Sequence, residues 1–200
     1  MVLAALVATP SSAASSVQPL PASVAAQLKS GGYWHKGCPV ALSGLRLLTV
    51  PYRGFDGRSH TGQLVVNRTA ARPLATVFAR LYGLHFPVRR MSVLPLDGDV
   101  TQSFSCRQAV PSPCVGGSGT GSWSMHAYGL AVDLNPRENP YVGCGQSRDP
   151  KTKPYFNRSR HLRGMVTRRA IGAFRSVGWG WGGSWTGDTK DYMHFSSTGH

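Results

Sequence analysis

Carboxylates are scarce in this chain: 8 Asp and Glu stand against 22 Lys and Arg in 200 residues, a formal net charge of +14. A basic excess of this size points to a polyanionic partner, and nucleic acid is the usual first expectation. The signatures that would carry such binding are missing. The sequence has no helix-turn-helix, zinc-finger or RNA-binding motif, and its cations are scattered without repeat, as in Arg158, Arg160, Arg163, Arg168 and Arg169. No apolar run reaches the ~20 residues that a membrane-spanning helix needs, and no segment recurs as an internal repeat. Cysteine is sparse too, with 4 in all and no Cys-x-x-Cys pair, which argues against a thiolate zinc cluster. Cys38, Cys106, Cys114 and Cys144 read instead as two disulfides. Of the three connectivities, Cys106 with Cys114 is expected because it closes a short loop rich in Pro, leaving Cys38 for Cys144. Four reduced thiols are the alternative.

Residues 1–30 are rich in Ala, Ser and Pro and read as leader and linker. Met1 to Val7 is apolar, and the small residues Ser11 to Ser16 resemble a cleavage neighbourhood. The segment reads as a signal peptide without its basic end, with the true start expected upstream. Residues 31–200 then form one domain, ample for a core. Apolar and β-branched runs predict strands at Leu45–Tyr52, Gln63–Asn67 and Arg90–Leu96. Helical spacing predicts a helix over Thr69–Leu84, with Pro73 tolerated in its first turn, and a second over Val166–Val177. Gly, Ser and Pro between Pro111 and Gly121 predict a loop. The whole reads as a small α+β domain in which an antiparallel sheet carries the site and helices pack on one side.

Two of the 8 carboxylates share short stretches with two of the 7 histidines. The stretches are Ser124-Met-His126-Ala-Tyr-Gly129-Leu-Ala-Val-Asp133 and Asp191-Tyr-Met-His194-Phe195. Imidazole nitrogen and carboxylate oxygen are ligands of catalytic zinc, which takes three from protein and keeps a fourth place open. His126 and Asp133 cannot share an ion from one straight element. A helix separates them by roughly 10 Å, and a strand sends them to opposite faces. A bend is required, and Gly129 permits it. Beyond it Leu130, Val132 and Leu134 alternate with Ala131 and Asp133, placing Asp133 on a strand and aimed into the site. In the second stretch Met193 and Phe195 form the apolar face, and Tyr192 and His194 the other. Asp191, just ahead of that strand, suits a general base better than a ligand.

The pattern Ser-x-His-x-x-Gly-x-Ala-x-Asp followed by Asp-x-x-His resembles the zinc D-alanyl-D-alanine carboxypeptidases of the VanY and VanX type and related phage L-alanyl-D-glutamate endopeptidases. Further motifs resemble the same family: Gly54-Phe-Asp-Gly57 with His60-Thr-Gly62, Ser105-Cys-Arg107, Asp133-Leu-Asn-Pro136 with Asn139-Pro-Tyr141, and Gly178-Trp-Gly-Trp-Gly-Gly-Ser-Trp185. The resemblance spans about residues 45–196. It implies the hedgehog/DD-peptidase fold, His126, Asp133 and His194 as zinc ligands, Asp191 as acid/base, and Arg107 as the cation polarising the scissile carbonyl. Ser124 is then expected to help hold substrate. Many relatives place Glu where Asp191 stands, so the base here is one methylene shorter.

The resemblance also gives the charge a destination, since a bacterial wall with its peptide carboxylates and anionic polymers attracts cations by long-range steering. Plain solubility is the duller reading. The expected function is therefore a secreted, wall-associated zinc carboxypeptidase acting on peptidoglycan stem peptides. An endopeptidase and a non-enzymatic wall-binding module compete with it. Trp179, Trp181 and Trp185 read as packing and cleft wall, with Trp181 and Trp185 as the substrate contacts. Asp188 is a rival base. His35, His85, His161 and His200 read as structural or exposed, with His60 left open.

Overall fold

The computed structural model describes residues 14–94, 98–117 and 119–200. The leader Met1 to Val7, the start of Ser11 to Ser16, and Pro95 and Leu96 of the third expected strand lie outside the described residues.

Strand β1 (Ser16–Pro19) and helix α1 (Ala22–Ser30) lead into β2 (Leu45–Arg53) and β3 (Ser59–Asn67), and the three strands form one antiparallel sheet in the order β1-β2-β3. Alternation along β2 explains why both its faces are apolar. Leu45 and Leu47 join Val65 in one buried cluster, whereas Leu48 and Val50 join Leu64 and Val66 in another. The register sets Leu47 opposite Val65 and Leu48 opposite Leu64, so like faces meet across the ladder.

Helix α2 (Ala71–Gly83) covers the second face. Leu74, Val77, Phe78 and Leu81 recur at helical spacing and bury one stripe against Leu48, Val50, Leu64 and Val66. Pro73 sits in its first turn, as expected.

The other face is covered by α1 through Val24 and Leu28, with Phe104 beside them. Within the stretch read as leader and linker, Ser16–Pro19 pairs with β2 and Ala22–Ser30 is a packed helix. Small residues disguise this helix, because only two side chains on it are buried.

Beyond residue 98 the elements are short. Strand β4 (Ala131–Asp133) is followed by β5 (Tyr141–Gly143), β6 (Gln146–Ser147) and helix α3 (Arg168–Arg175), which Thr167 caps by accepting from the Ala170 N–H. Then come β7 (Gly180–Trp181), β8 (Lys190–Asp191) and β9 (His194–Ser196). They make two further three-stranded antiparallel sheets, β4-β9-β7 and β6-β5-β8. The class is mixed α and β as expected, but three small sheets replace the one foreseen. The β4-β9-β7 sheet packs on the main core through Val132 and Phe195, whose ring stacks on Phe174 of α3 at a centroid distance of 3.8 Å.

Two other expectations are corrected. Arg90–Leu96 is not a strand in its described part: Met91 alone bridges to Thr101, while Met91 and Val93 anchor the segment in different clusters. The disulfides join Cys38 to Cys106 and Cys114 to Cys144. Cys106 is held beside the N-terminal cluster by its N–H bond to the Tyr33 carbonyl at 3.0 Å. The Gln108–Trp123 bridge then carries the following loop away toward Gly143, where a Cβ would lie 2.8 Å from Ser112 Oγ and 3.0 Å from Cys114 Sγ. Nearness in sequence was a poor guide because the chain leaves the Cys106 neighbourhood at once.

Candidate active site

The first histidine sits in a single 3-10 turn, Met125–Tyr128, whose start is capped by Ser124 Oγ accepting from the His126 N–H at 3.3 Å. Gly129 ends the turn in the left-handed region, at φ 64°. A Cβ there would lie 2.6 Å from the Asn67 nitrogen, so the bend needs glycine for its conformation and for space. The Asn67 N–H donates to the Gly129 carbonyl at 2.9 Å and the Asn67 amide to the Tyr128 carbonyl at 3.0 Å, docking the turn on the end of β3. Past the bend, Asp133 lies directly opposite His194 in the β4-β9 ladder. Opposed residues of an antiparallel pair project to one side, which brings this carboxylate and this imidazole together.

Three atoms converge. Asp133 Oδ1 lies 3.1 Å from His126 Nε2 and 3.3 Å from His194 Nδ1, and the two nitrogens are 3.2 Å apart. All three residues are buried. Ligand atoms bound tetrahedrally at ~2.0–2.2 Å from a zinc ion are separated by roughly 3.3–3.6 Å, so this triangle fits the group that the motifs imply. The far nitrogen of His126 fits as well: Nδ1 lies 2.5 Å from the Ser103 carbonyl, where its N–H donates and leaves the Nε2 lone pair facing the triangle. Burial pushes the Asp133 carboxyl up, but the charge and hydrogen bonds of His126 and His194 outweigh it and hold it far below the usual range. Burial alone would lower His194, yet the Asp133 hydrogen bond and the charges of Asp133 and Asp191 raise it. His126 goes the other way, since its burial outweighs Asp133.

Asp191 stands at the edge of this cluster. It is held in β8 opposite Tyr141 of β5, and its Oδ1 is shut away from solvent without a hydrogen-bond partner among the described residues. Burial, reinforced by the negative charge of Asp133, pushes its carboxyl up to about 7, a value suited to trading protons near neutrality. The positive charge of Arg107 acts on both Asp191 and His126.

The triangle opens into a cleft of about 640 Å³ whose wall includes Arg107, Trp123, Ser124, Tyr141, Arg148, Trp185, Asp191 and His200. Seven of the eight site residues read from the sequence, His126, Asp133, His194, Asp191, Arg107, Ser124 and Trp185, thus meet in one place. Trp181 does not: it packs on Phe195 and donates its indole N–H to the Tyr192 carbonyl at 2.9 Å, as a wedge under the site. Asp188 is exposed and does not line the cleft. Met193 lines it, contrary to its expected place beside Phe195, because the chain bends between β8 in one sheet and β9 in another. Tyr141 and Arg148 were missed as site residues. Tyr141 stood in the Asn139-Pro-Tyr141 motif, whereas nothing in the sequence marks Arg148, which ties down the overlying loop through the Pro111 and Gly117 carbonyls at 3.3 and 2.9 Å.

No curated protein and no solved structure matches the chain. A family comparison does, over less than the 45–196 expected and leaving Arg107 outside: residues 118–197, which carry His126, Asp133, Asp191 and His194, match the D-alanyl-D-alanine carboxypeptidase family.

Proposed function

We propose that the protein is a secreted zinc metallopeptidase that trims peptidoglycan stem peptides as a D-alanyl-D-alanine or L,D-carboxypeptidase. The observation that carries this reading is the buried triangle of His126, Asp133 and His194, with separations of 3.1–3.3 Å, beside a carboxyl raised to about 7. His126, Asp133 and His194 would hold zinc, which when bound would supply Lewis acidity and lower the pKa of water. The remaining work falls to the chain's own groups. Asp191 takes the proton of the attacking water at its carboxylate and returns it to the leaving amine. Arg107 presents its guanidinium to the carbonyl oxygen as negative charge develops there, and preorganised charge of this kind is often the largest catalytic contribution. Trp185 and Tyr141, packed edge to face at a centroid distance of 6.4 Å, wall the cleft. Ser124 lines it too, though its buried hydroxyl already caps the His126 turn. Two disulfides support an oxidising, extracytoplasmic setting.

A second reading, an endopeptidase, draws on one observation. The cleft shares Asp99, Arg137 and Lys151 with an adjoining hollow of about 770 Å³, which gives room for a longer chain. The deciding experiment is incubation of zinc-loaded protein, with an Asp191→Ala control, on purified pentapeptide muropeptides, with products read by mass spectrometry. Loss of one terminal alanine is the expected result. Internal cleavage points to the endopeptidase, and stoichiometric zinc without any cleavage to a binding module.

A further inference from the structure

A second groove, of about 1140 Å³, shares no lining residue with the catalytic cleft. Its wall carries Arg158, Arg160, Arg163, Arg168 and Arg169 and no carboxylate. All five of its cations are arginine, as most are in this chain, and the planar guanidinium fork suits bidentate contact with phosphate or carboxylate. These arginines differ in how free they are. Arg158 is committed to the fold, donating to the Glu138 carbonyl and to Asn139 Oδ1 and stacking on Tyr192. Arg163 leans on Phe55, its guanidinium 5.5 Å from the ring centre. Arg160, Arg168 and Arg169 are exposed, and no described side chain or carbonyl engages their guanidiniums.

Two of the exposed large apolar side chains, Leu84 at 40% and Leu162 at 39%, lie in the same groove. The basic surface does not stop at its end. A shallower hollow between α2 and α3 shares Leu84 and Arg169 with it and adds Arg80. Cations thus follow a continuous concave track, with apolar carbon available between them.

From this geometry we infer that the groove binds a linear polyanion with a phosphodiester backbone and no aromatic bases, the chemistry of a poly(glycerol phosphate). A concave track fits a chain better than a planar membrane, and anionic repeats match cations spaced along it. Base-bearing polymers fit less well because they draw on exposed aromatic platforms. The one tryptophan here, Trp181, has its ring packed against Phe195 and Tyr192, and Phe86 is buried, so the exposed rings in the lining are the small imidazoles of His85 and His161. Leu84 and Leu162 instead suit contact with the carbon skeleton of a polyol. Such a ligand would hold the protein on its substrate matrix with the catalytic cleft free.

The test compares wild-type protein with R160Q/R168Q/R169Q and with R58Q/R72Q/R175Q, which loses the same charge from exposed sites outside the groove. Binding is measured against purified poly(glycerol phosphate), a DNA duplex of similar charge and anionic phospholipid vesicles over a range of salt. Wild type should prefer poly(glycerol phosphate). The groove variant should lose about tenfold or more in affinity and flatten the log–log salt dependence by about 2, with zinc content and melting temperature unchanged. The control variant should lose far less. Equal losses in both variants would show that net charge alone matters and overturn the inference, as would a wild-type preference for DNA or for vesicles.

Discussion

Residues 14–94 and residues 98–200 solve different problems. The first part holds two nine-residue strands and the longest helix, and its side chains fill both faces of one sheet. The second holds strands of two or three residues, short 3-10 segments, one eight-residue helix and the entire metal triangle. Long ladders bury apolar area efficiently but present side chains at fixed intervals. Converging a carboxylate and two imidazoles at 3.1–3.3 Å takes bends and changes of sheet. Regularity therefore serves stability in one part, and its interruption serves chemistry in the other.

If that division is real, substitutions in the two parts should fail in different ways. His126→Ala should abolish stoichiometric zinc binding, measured by metal analysis after dialysis, while leaving the 14–94 sheet folded. Asp191→Ala should keep zinc and lose about 10²–10⁴ in kcat, the usual contribution of a positioned acid/base; an active variant would overturn the role given to it. Phe78→Ala should do the reverse, costing about 3–5 kcal/mol in a denaturant titration while activity per folded molecule stays unchanged. A Phe78 variant that folds normally but loses zinc would break the division.

Gly129 stands where the two parts touch, so its replacement should show both failures together, each smaller. An alanine must hold φ near 64° and set its Cβ 2.6 Å from the Asn67 nitrogen. The expected cost is about 1–3 kcal/mol of stability. Displacing the turn that carries His126 should also weaken zinc affinity by about 10–100-fold, as loss of an orienting contact does. Competition with a chromogenic chelator would read the second effect separately from the first.

How much could be read in advance follows the same line. Helix α2 was visible because Ala75, Val77, Phe78, Leu81 and Leu84 recur near its period, although Leu74 takes a buried place in the stripe and Leu84 stays exposed, and β2 because apolar and β-branched residues dominate Leu45–Tyr52. Within the site, His126, Asp133, Asp191 and His194 were visible because two short motifs hold them, and Gly129 because only a bend lets two of them meet. Other features depend on segments distant in sequence coming together. Tyr141 faces Asp191 only through the β5-β8 ladder, Trp181 is separated from Trp185 only by the cleft's position, and Cys106 finds Cys38 across 68 residues. Met193 escaped because alternation assumes one continuous strand, and the chain changes sheets there.

The subtlest expected difference lies within the site, between its two carboxyls. In metal-free protein Asp191 is raised to about 7 from 3.8, so between about pH 4 and 7 the folded chain keeps a proton that the unfolded chain has released. Rising pH then favours unfolding: stability falls through that window and levels off above it. Asp133 behaves oppositely. Its carboxyl is lowered, so its contribution is present above 3.8 and is lost only as pH falls further. The histidines also titrate nearby, with His194 raised and His126 lowered, and their effects oppose each other. Comparison with Asp191→Asn isolates the aspartate. Melting temperatures of the metal-free wild type should decline relative to the variant between about pH 4 and 7, and parallel curves would refute the assignment. Zinc should move the decline to lower pH, because a nearby divalent cation favours the ionised form of the Asp191 carboxyl.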